Sequence, residues 1–180
     1  MLNVENSVAA SALAILAGVS PEEIRAALAT YAGVKRRFDV QLNNGTYVLI
    51  DDYAHHPEEL RATIQSVRDI YKGQTLTGVF QPHLFSRTKD FAEGFARSLD
   101  LLDEIVLLDI YPARELPMEG VSSDLIFKQL KNKNKILCTK SELIGLAGTF
   151  KPGVVLMMGA GDIDTFVGPV KEQILKNENS

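Results

Sequence analysis

Two short segments gather most of the side chains that could do chemistry. The first, Asp51-Asp52-Tyr53-Ala54-His55-His56-Pro57, carries two carboxylates, a phenol and two imidazoles. The second, Gln81-Pro82-His83-Leu84-Phe85-Ser86-Arg87-Thr88, adds an imidazole and a guanidinium, so all three histidines of the chain fall in these two places. Imidazoles move protons near neutrality, guanidinium groups hold carboxylates and phosphates bidentately, and ionised carboxylates accept hydrogen bonds from hydroxyls. Such a set suits the binding and activation of a small charged ligand. Lys35-Arg36-Arg37 adds three adjacent cations that could meet a polyphosphate, although a solvated charge run is the plainer reading of a lone triplet.

Structural readings compete at several positions. One of Asp51 and Asp52 could cap the helix that follows, and His56 could simply precede Pro57 in a turn. Metal ligation by His55, His56 and His83 is disfavoured: adjacent histidines in an extended chain project to opposite sides, and no Cys-rich or His-x-x-x-His spacing supports it. Gly159-Ala160-Gly161-Asp162 could cradle an anion, but close packing of strand on helix is the commoner use of such a turn. The phosphate loop Gly-x-x-x-x-Gly-Lys-Ser/Thr is absent, so this chain by itself is not expected to hydrolyse ATP.

The elements that must position these residues are legible in the periodicity. Alanine and leucine over Val8–Ala17 predict a helix buried on several sides and ended by Gly18. Ser20-Pro21-Glu22-Glu23 combines an N-cap serine, a first-turn proline and a capping-box glutamate, launching a second helix to Tyr31. The period then switches. Phe38, Val40 and Leu42 alternate with polar residues, Asn43-Asn44-Gly45 makes a turn, and Tyr47–Ile50 is apolar, which predicts a β-hairpin. Strands are expected at 76–80, 105–109, 135–138 and 153–158, alternating with helices at 58–71, 88–99, 123–131, 141–147 and the carboxy terminus. That alternation predicts an α/β fold with a mostly parallel sheet, helices on both faces and the hairpin as an antiparallel edge. Both chemical segments then fall just after a strand, where open α/β sheets bind ligands. A composition break at Ala32-Gly33-Val34 suggests a hinge.

With 180 residues the chain can hold one full domain and a remnant of another, and its abrupt helical start looks like a cut from a longer protein. Apolar residues at 46% and charged residues at 23% describe an ordinary globular protein. The net charge of -4 argues against general attraction to nucleic acid or anionic membranes, and no segment reaches the length of a membrane span. A single cysteine, Cys138, can form no internal disulfide, which suits a reducing cytoplasm.

Taken together, Gly33-Val34-Lys35-Arg36-Arg37-Phe38-Asp39, the Asp51–Pro57 and Gln81–Thr88 segments, Tyr111-Pro112-Ala113-Arg114-Glu115 and Gly159-Ala160-Gly161-Asp162-Ile163 closely resemble the Mur ligases, over nearly the whole chain. The resemblance implies that residues 1–32 are a helical remnant of a central ATPase domain and that 33–180 form a carboxy-terminal Rossmann-like domain, the amino-terminal and central domains being missing partners. It implies ATP with Mg2+, bound mainly by the central domain, and a reaction in which the carboxylate of UDP-N-acetylmuramate becomes an acyl phosphate that L-alanine attacks. By the same resemblance Asn3 and Asn6 lie beside the adenine, Arg37 at the phosphates and Asp52 on the ribose, while Tyr53, His55, His83 and Arg87 line the amino acid pocket, the last three as catalytic groups. Alanine-adding members often carry a basic residue where this chain has Leu84, which leaves Arg87 as the firm cation. Alternatives are a recycling ligase that attaches a murein peptide to the same nucleotide, and a Rossmann-like nucleotide-binding module without chemistry. An NAD-dependent dehydrogenase is weaker still, because its glycine fingerprint would open the first β-α unit and not end the last one.

Overall fold

The computed structural model describes residues 2–178, with side chains from Val4 onward. The chain divides into two units, residues 1–34 and 35–180. In the first, α1 (Leu2–Leu16) and α2 (Pro21–Thr30) pack on each other. Ser20 caps α2 as its sequence demands: its hydroxyl accepts from Glu23 N–H while the Glu23 carboxylate accepts from Ser20 N–H. The expectation that the first helix is buried on several sides is not met. Val8, Leu13, Ile15 and Leu16 are exposed and no residue of α2 is buried. An Ala- and Leu-rich stretch reports the capacity to be covered, and two short helices supply too little surface to cover each other.

The second unit is built on a six-stranded sheet of order β1-β2-β6-β3-β4-β5, formed by β1 (Asp39–Asn43), β2 (Tyr47–Asp52), β3 (Leu76–Phe80), β4 (Glu104–Leu108), β5 (Lys135–Cys138) and β6 (Gly153–Met158). Only the β1–β2 hairpin is antiparallel. Its turn follows from Asn44, whose Oδ1 accepts from Thr46 and Tyr47 N–H, with Gly45 supplying φ of 91°.

Each inner strand is apolar on both sides because helices cover both faces. Val48, Ile50, Phe80, Leu107 and Leu156 face α3 (Pro57–Ile70), α4 (Phe85–Leu99) and the short α5 (Asp124–Phe127). Their neighbours Tyr47, Leu49, Val79, Val106 and Val155 face α6 (Lys140–Ala147) and α7 (Val167–Glu178), the latter preceded by a 3-10 turn at Asp162–Phe166. The helix expected at 123–131 ends at Phe127, since the Asp100 carboxylate takes the N–H groups of Lys131 and Asn132 and turns the chain away. Cys138 is buried, and burial pushes its thiol up to about 11, so it stays protonated.

The placement of β6 between β2 and β3 shapes the functional edge. Chain leaving β2 and β3 crosses to the face of α3 and α4, whereas chain leaving β6 crosses to the face of α7. Neighbouring exits therefore part on both sides of β6, and the strand tips open a crevice there.

Candidate active site

Gln81 knits the middle of this edge. Its N–H donates to Met158 O, its Nε2 donates to Asp162 Oδ1 at 2.8 Å, and its Oε1 accepts from Ile163 N–H at 3.1 Å. The glycine turn beside it is a packing device. A Cβ on Gly159 would lie 2.8 Å from Gln81 O, and one on Gly161 would lie 2.6 Å from Tyr111 Cγ, so only glycine lets these loops close together.

The three cations at 35–37 are not equivalent. Arg36 turns inward: its Nη2 donates to Gly159 O at 2.6 Å and Gly161 O at 3.2 Å, its Nη1 pairs with Asp164 at 3.3 Å, and its guanidinium lies over the Tyr53 ring. Arg36 and Phe38 both adopt positive φ, 60° and 53°, a costly conformation for non-glycine residues. It is held by Tyr53 N–H donating to Arg36 O and by Phe38 N–H donating to Asp52 Oδ2 at 2.8 Å. Arg37, between them, has its guanidinium 5.9 Å from the Tyr53 ring; it forms no salt bridge among the described residues, although its charge acts on the Asp52 carboxyl. The expectation of three cations facing one polyphosphate thus loses Arg36, which is consumed in holding the loops, and leaves the exposed Lys35 and Arg37.

Next along the rim is a file of rings. Tyr53 meets His55 edge-on at 5.2 Å, His55 meets His83 at 6.2 Å, and His83 stacks on Tyr111 at 5.7 Å. Tyr111 is fixed by its N–H donating to Pro82 O and its carbonyl accepting from Leu84 N–H. Arg87, one turn into α4, brings Nη1 to 3.3 Å from His83 Nδ1. Leu84 stands at the start of α4 with φ of 74°, so strain sits in the loop that presents His83. His56 does not join this file, since its ring packs against Phe91.

Sequence reasoning thus placed Tyr53, His55, His83 and Arg87 at one rim, and the structure brings their side chains together. Asp52 sits differently. It is 8% exposed, and its oxygens accept from Phe38 N–H, Ala54 N–H at 2.9 Å and the Thr63 hydroxyl at 3.4 Å. Asn6 lies exposed on α1 in the first unit, and the side chain of Asn3 lies outside the described residues. Glu59 and Tyr111 carry the rim's geometry without having been assigned roles from sequence, and Arg36, expected among the phosphate-facing cations, holds the loops instead. Glu59 had a readable signal, its capping position three residues after His56.

Burial shifts three groups in this region, His83, Asp51 and Asp52. Desolvation lowers His83, and the nearby Arg87 and His55 add to that, so its neutral form is favoured. Asp51 is buried with Oδ1 lacking a hydrogen-bond partner and Arg36 Nε 3.7 Å from Oδ2; desolvation raises it to about 6 despite Arg36. A folded value above the unfolded one means that its contribution to stability is complete below about pH 3.8 and is lost as pH rises through about 6. Asp51→Asn should therefore flatten the pH dependence of stability. The wild type is expected to lose roughly 2–4 kcal/mol between pH 4 and pH 7 that the variant keeps, read as urea unfolding free energies at both pH values. Parallel slopes for the two proteins would contradict this.

A cavity of about 320 Å³ opens at the other end of the strands, among Thr77, Glu104, Ile136, Thr149 and Phe150. Several of its polar groups are already paired: Thr77 donates to Glu104, which also pairs with Lys151, and Lys135 Nζ donates to Phe127 O and Leu130 O. The imidazoles and the guanidinium of Arg87 gather instead at the tips of β2 and β3.

An open, mostly parallel sheet with its polar groups gathered at parted strand ends defines a ligand-binding α/β domain of the Rossmann-like class. Residues 36–161 match the family described as Mur ligase, glutamate ligase domain. The UDP-N-acetylmuramate–L-alanine ligases of Parabacteroides distasonis and Porphyromonas gingivalis are 56% and 57% identical over 175 and 174 residues, covering 97% and 96% of this chain. The crystal structure of UDP-N-acetylmuramate-alanine ligase from Thermotoga maritima superposes with a TM-score of 0.77 at 27% identity, over 99% of this chain and 38% of that one. A murein peptide ligase from Psychrobacter arcticus shares the fold, with a TM-score of 0.67 at 22% identity over 99% of this chain and 37% of its own. The chain belongs to the Mur ligase family. It spans 38% of the length of the curated relatives it matches. Among the described residues no helix is long and apolar enough to cross a membrane.

Proposed function

We propose that this chain is the carboxy-terminal part of an ATP-dependent ligase that joins L-alanine to UDP-N-acetylmuramate through an acyl phosphate, in the cytoplasm. The observation that carries the reading is the single rim on which His55, His83 and Arg87 meet, with the exposed Arg37 beside Tyr53 on the same edge. One end of that rim suits an amino acid and the other a nucleotide phosphate. The 56% identity to an alanine-adding relative supports the choice of amino acid.

In this reading residues 1–32 belong to the central ATPase domain, with Asn3 and Asn6 toward the adenine, and residues 33–180 form the closing domain. Arg37 takes a nucleotide phosphate bidentately. Asp52, whose oxygens already hold the backbone of Phe38 and Ala54, faces the ribose only with its remaining lone pairs. Arg87 pairs the carboxylate of the amino acid and leaves its amine free, so the main contribution of the rim is orientation. Mg2+ accompanies ATP in this reading, but the described residues contain no group of three or more His, Cys, Asp or Glu able to hold a metal ion. That ion belongs to the phosphates and the missing central domain.

The test is phosphate release by the full-length protein. Release should require ATP, L-alanine and UDP-N-acetylmuramate together, and release that ignores either acceptor or donor would refute the assignment.

A further inference from the structure

We propose that His55, oriented by Glu59, accepts the proton of the amino acid's ammonium group, while His83, held in the opposite tautomer by Arg87, donates a hydrogen bond to the bound ligand; this rests on the ligase reading above. The tautomers follow from the partners. His55 Nδ1 lies 2.9 Å from Tyr53 O and 3.3 Å from Glu59 Oε2, and both of these oxygens can only accept. Nδ1 therefore carries the hydrogen, and in the neutral ring the lone pair is on Nε2, which no hydrogen bond occupies among the described residues. His83 is the reverse case. Its Nδ1 faces Arg87 Nη1 at 3.3 Å, and a guanidinium can only donate, so Nδ1 is the acceptor and Nε2 carries the hydrogen. Two neighbouring imidazoles, 6.2 Å apart, thus offer one base and one donor.

Glu59 is built in and not adventitious. Its Oε2 accepts from the N–H groups of His55 at 3.0 Å and His56 at 3.2 Å, which fixes the carboxylate against the imidazole it orients. A carboxylate behind Nδ1–H holds the ring's tautomer and favours the imidazolium that forms when Nε2 takes a proton.

The ammonium gives one proton to His55 Nε2, and the freed nitrogen lone pair attacks the acyl carbon. The C–N bond forms, the C–O bond to phosphorus breaks, and the electron pair leaves on phosphate. The second proton departing from nitrogen goes to that phosphate, giving hydrogen phosphate, and the imidazolium returns its proton to water.

Hydroxylamine separates this step from acyl phosphate formation, because it is already uncharged at neutral pH and needs no base. Full-length enzyme is given ATP and UDP-N-acetylmuramate with either L-alanine or hydroxylamine, and amide and hydroxamate are measured. His55→Asn keeps a donor toward Tyr53 O but removes the lone pair. It should lower the ratio of amide to hydroxamate by about 10²-fold or more, the usual worth of general base catalysis. Glu59→Gln keeps an acceptor for the two backbone N–H groups but loses the charge. It should lower that ratio about tenfold through kcat, with the KM for L-alanine unchanged. An equal fall of both products in His55→Asn overturns the base assignment, and a wild-type ratio in Glu59→Gln overturns the orienting role. No hydroxamate from the wild type overturns the ligase reading itself.

Discussion

Replacing Arg87 by alanine in the full-length protein should raise the KM for L-alanine roughly 100-fold and leave that for ATP within about threefold, because the ligand's carboxylate loses a charge-assisted partner. What singles out Arg87 is its place on the rim beside His83 together with the absence of an ion pair, since among the described residues Arg25, Arg37 and Arg114 form no ion pair either but make no contact with the imidazole file. Arg36, Arg61, Arg68 and Arg97 each already pair with a carboxylate of the chain. Arg87 has none among the described residues; its resolved partner is a neutral ring nitrogen, His83 Nδ1. A half-buried fork held by an imidazole and facing no acid is ready for a carboxylate brought by a ligand. A hundredfold change is about 2.7 kcal/mol, within the range of a hydrogen bond to charge plus the penalty of leaving an anion unpaired. The loss should fall on KM more than on kcat, since the carboxylate is held alike in ground and transition states. Arg87→Lys should recover part of the affinity, keeping the charge but not the fork. Equal rises for both substrates would remove Arg87 from the amino acid pocket.

How much of this was legible in the sequence depended on whether the cause was local. The hairpin was readable because Asn44 and Gly45 set its turn within four residues. Strand tips were readable because buried strands are apolar on both faces and stop where polar residues begin. The position of β6 between β2 and β3 was not, since strand order is fixed by which surfaces pack and not by any adjacent residues. The fate of Lys35-Arg36-Arg37 was equally hidden. Only the positive φ angles at Arg36 and Phe38 decide which guanidinium turns toward Gly159 and which faces out, and those angles are enforced by Asp52 and Tyr53 from another strand. The tautomers of His55 and His83 depend on a carbonyl, a carboxylate and a guanidinium that only the folded loops bring together.

That dependence makes Asp52 the position where binding and folding are hardest to separate, and it sets the second large effect. Asp52→Ala should destabilise this domain by roughly 2–4 kcal/mol, since the buried N–H of Ala54 and the half-buried N–H of Phe38 lose their acceptor. Asp52→Asn should cost about half as much, or less: its amide oxygen can serve one of the two N–H groups, and its NH₂ faces the other. Removal of a charge that burial already disfavours offsets part of either loss, as desolvation is the largest influence on this carboxyl and raises it above its ordinary value. The consequence for function runs through the backbone. With Phe38 N–H released, nothing compensates the left-handed conformation at Phe38, and Arg37 is no longer presented from a fixed segment. Both variants should therefore raise the KM for ATP while leaving that for L-alanine near its wild-type value, and Asp52→Ala should do so more than Asp52→Asn. Urea unfolding of the chain and steady-state kinetics of the full-length protein read the two consequences separately. An unchanged unfolding midpoint with a raised KM for ATP would make Asp52 a direct ligand of the nucleotide; a lowered midpoint with KM raised in proportion would make it the clamp that aims Arg37.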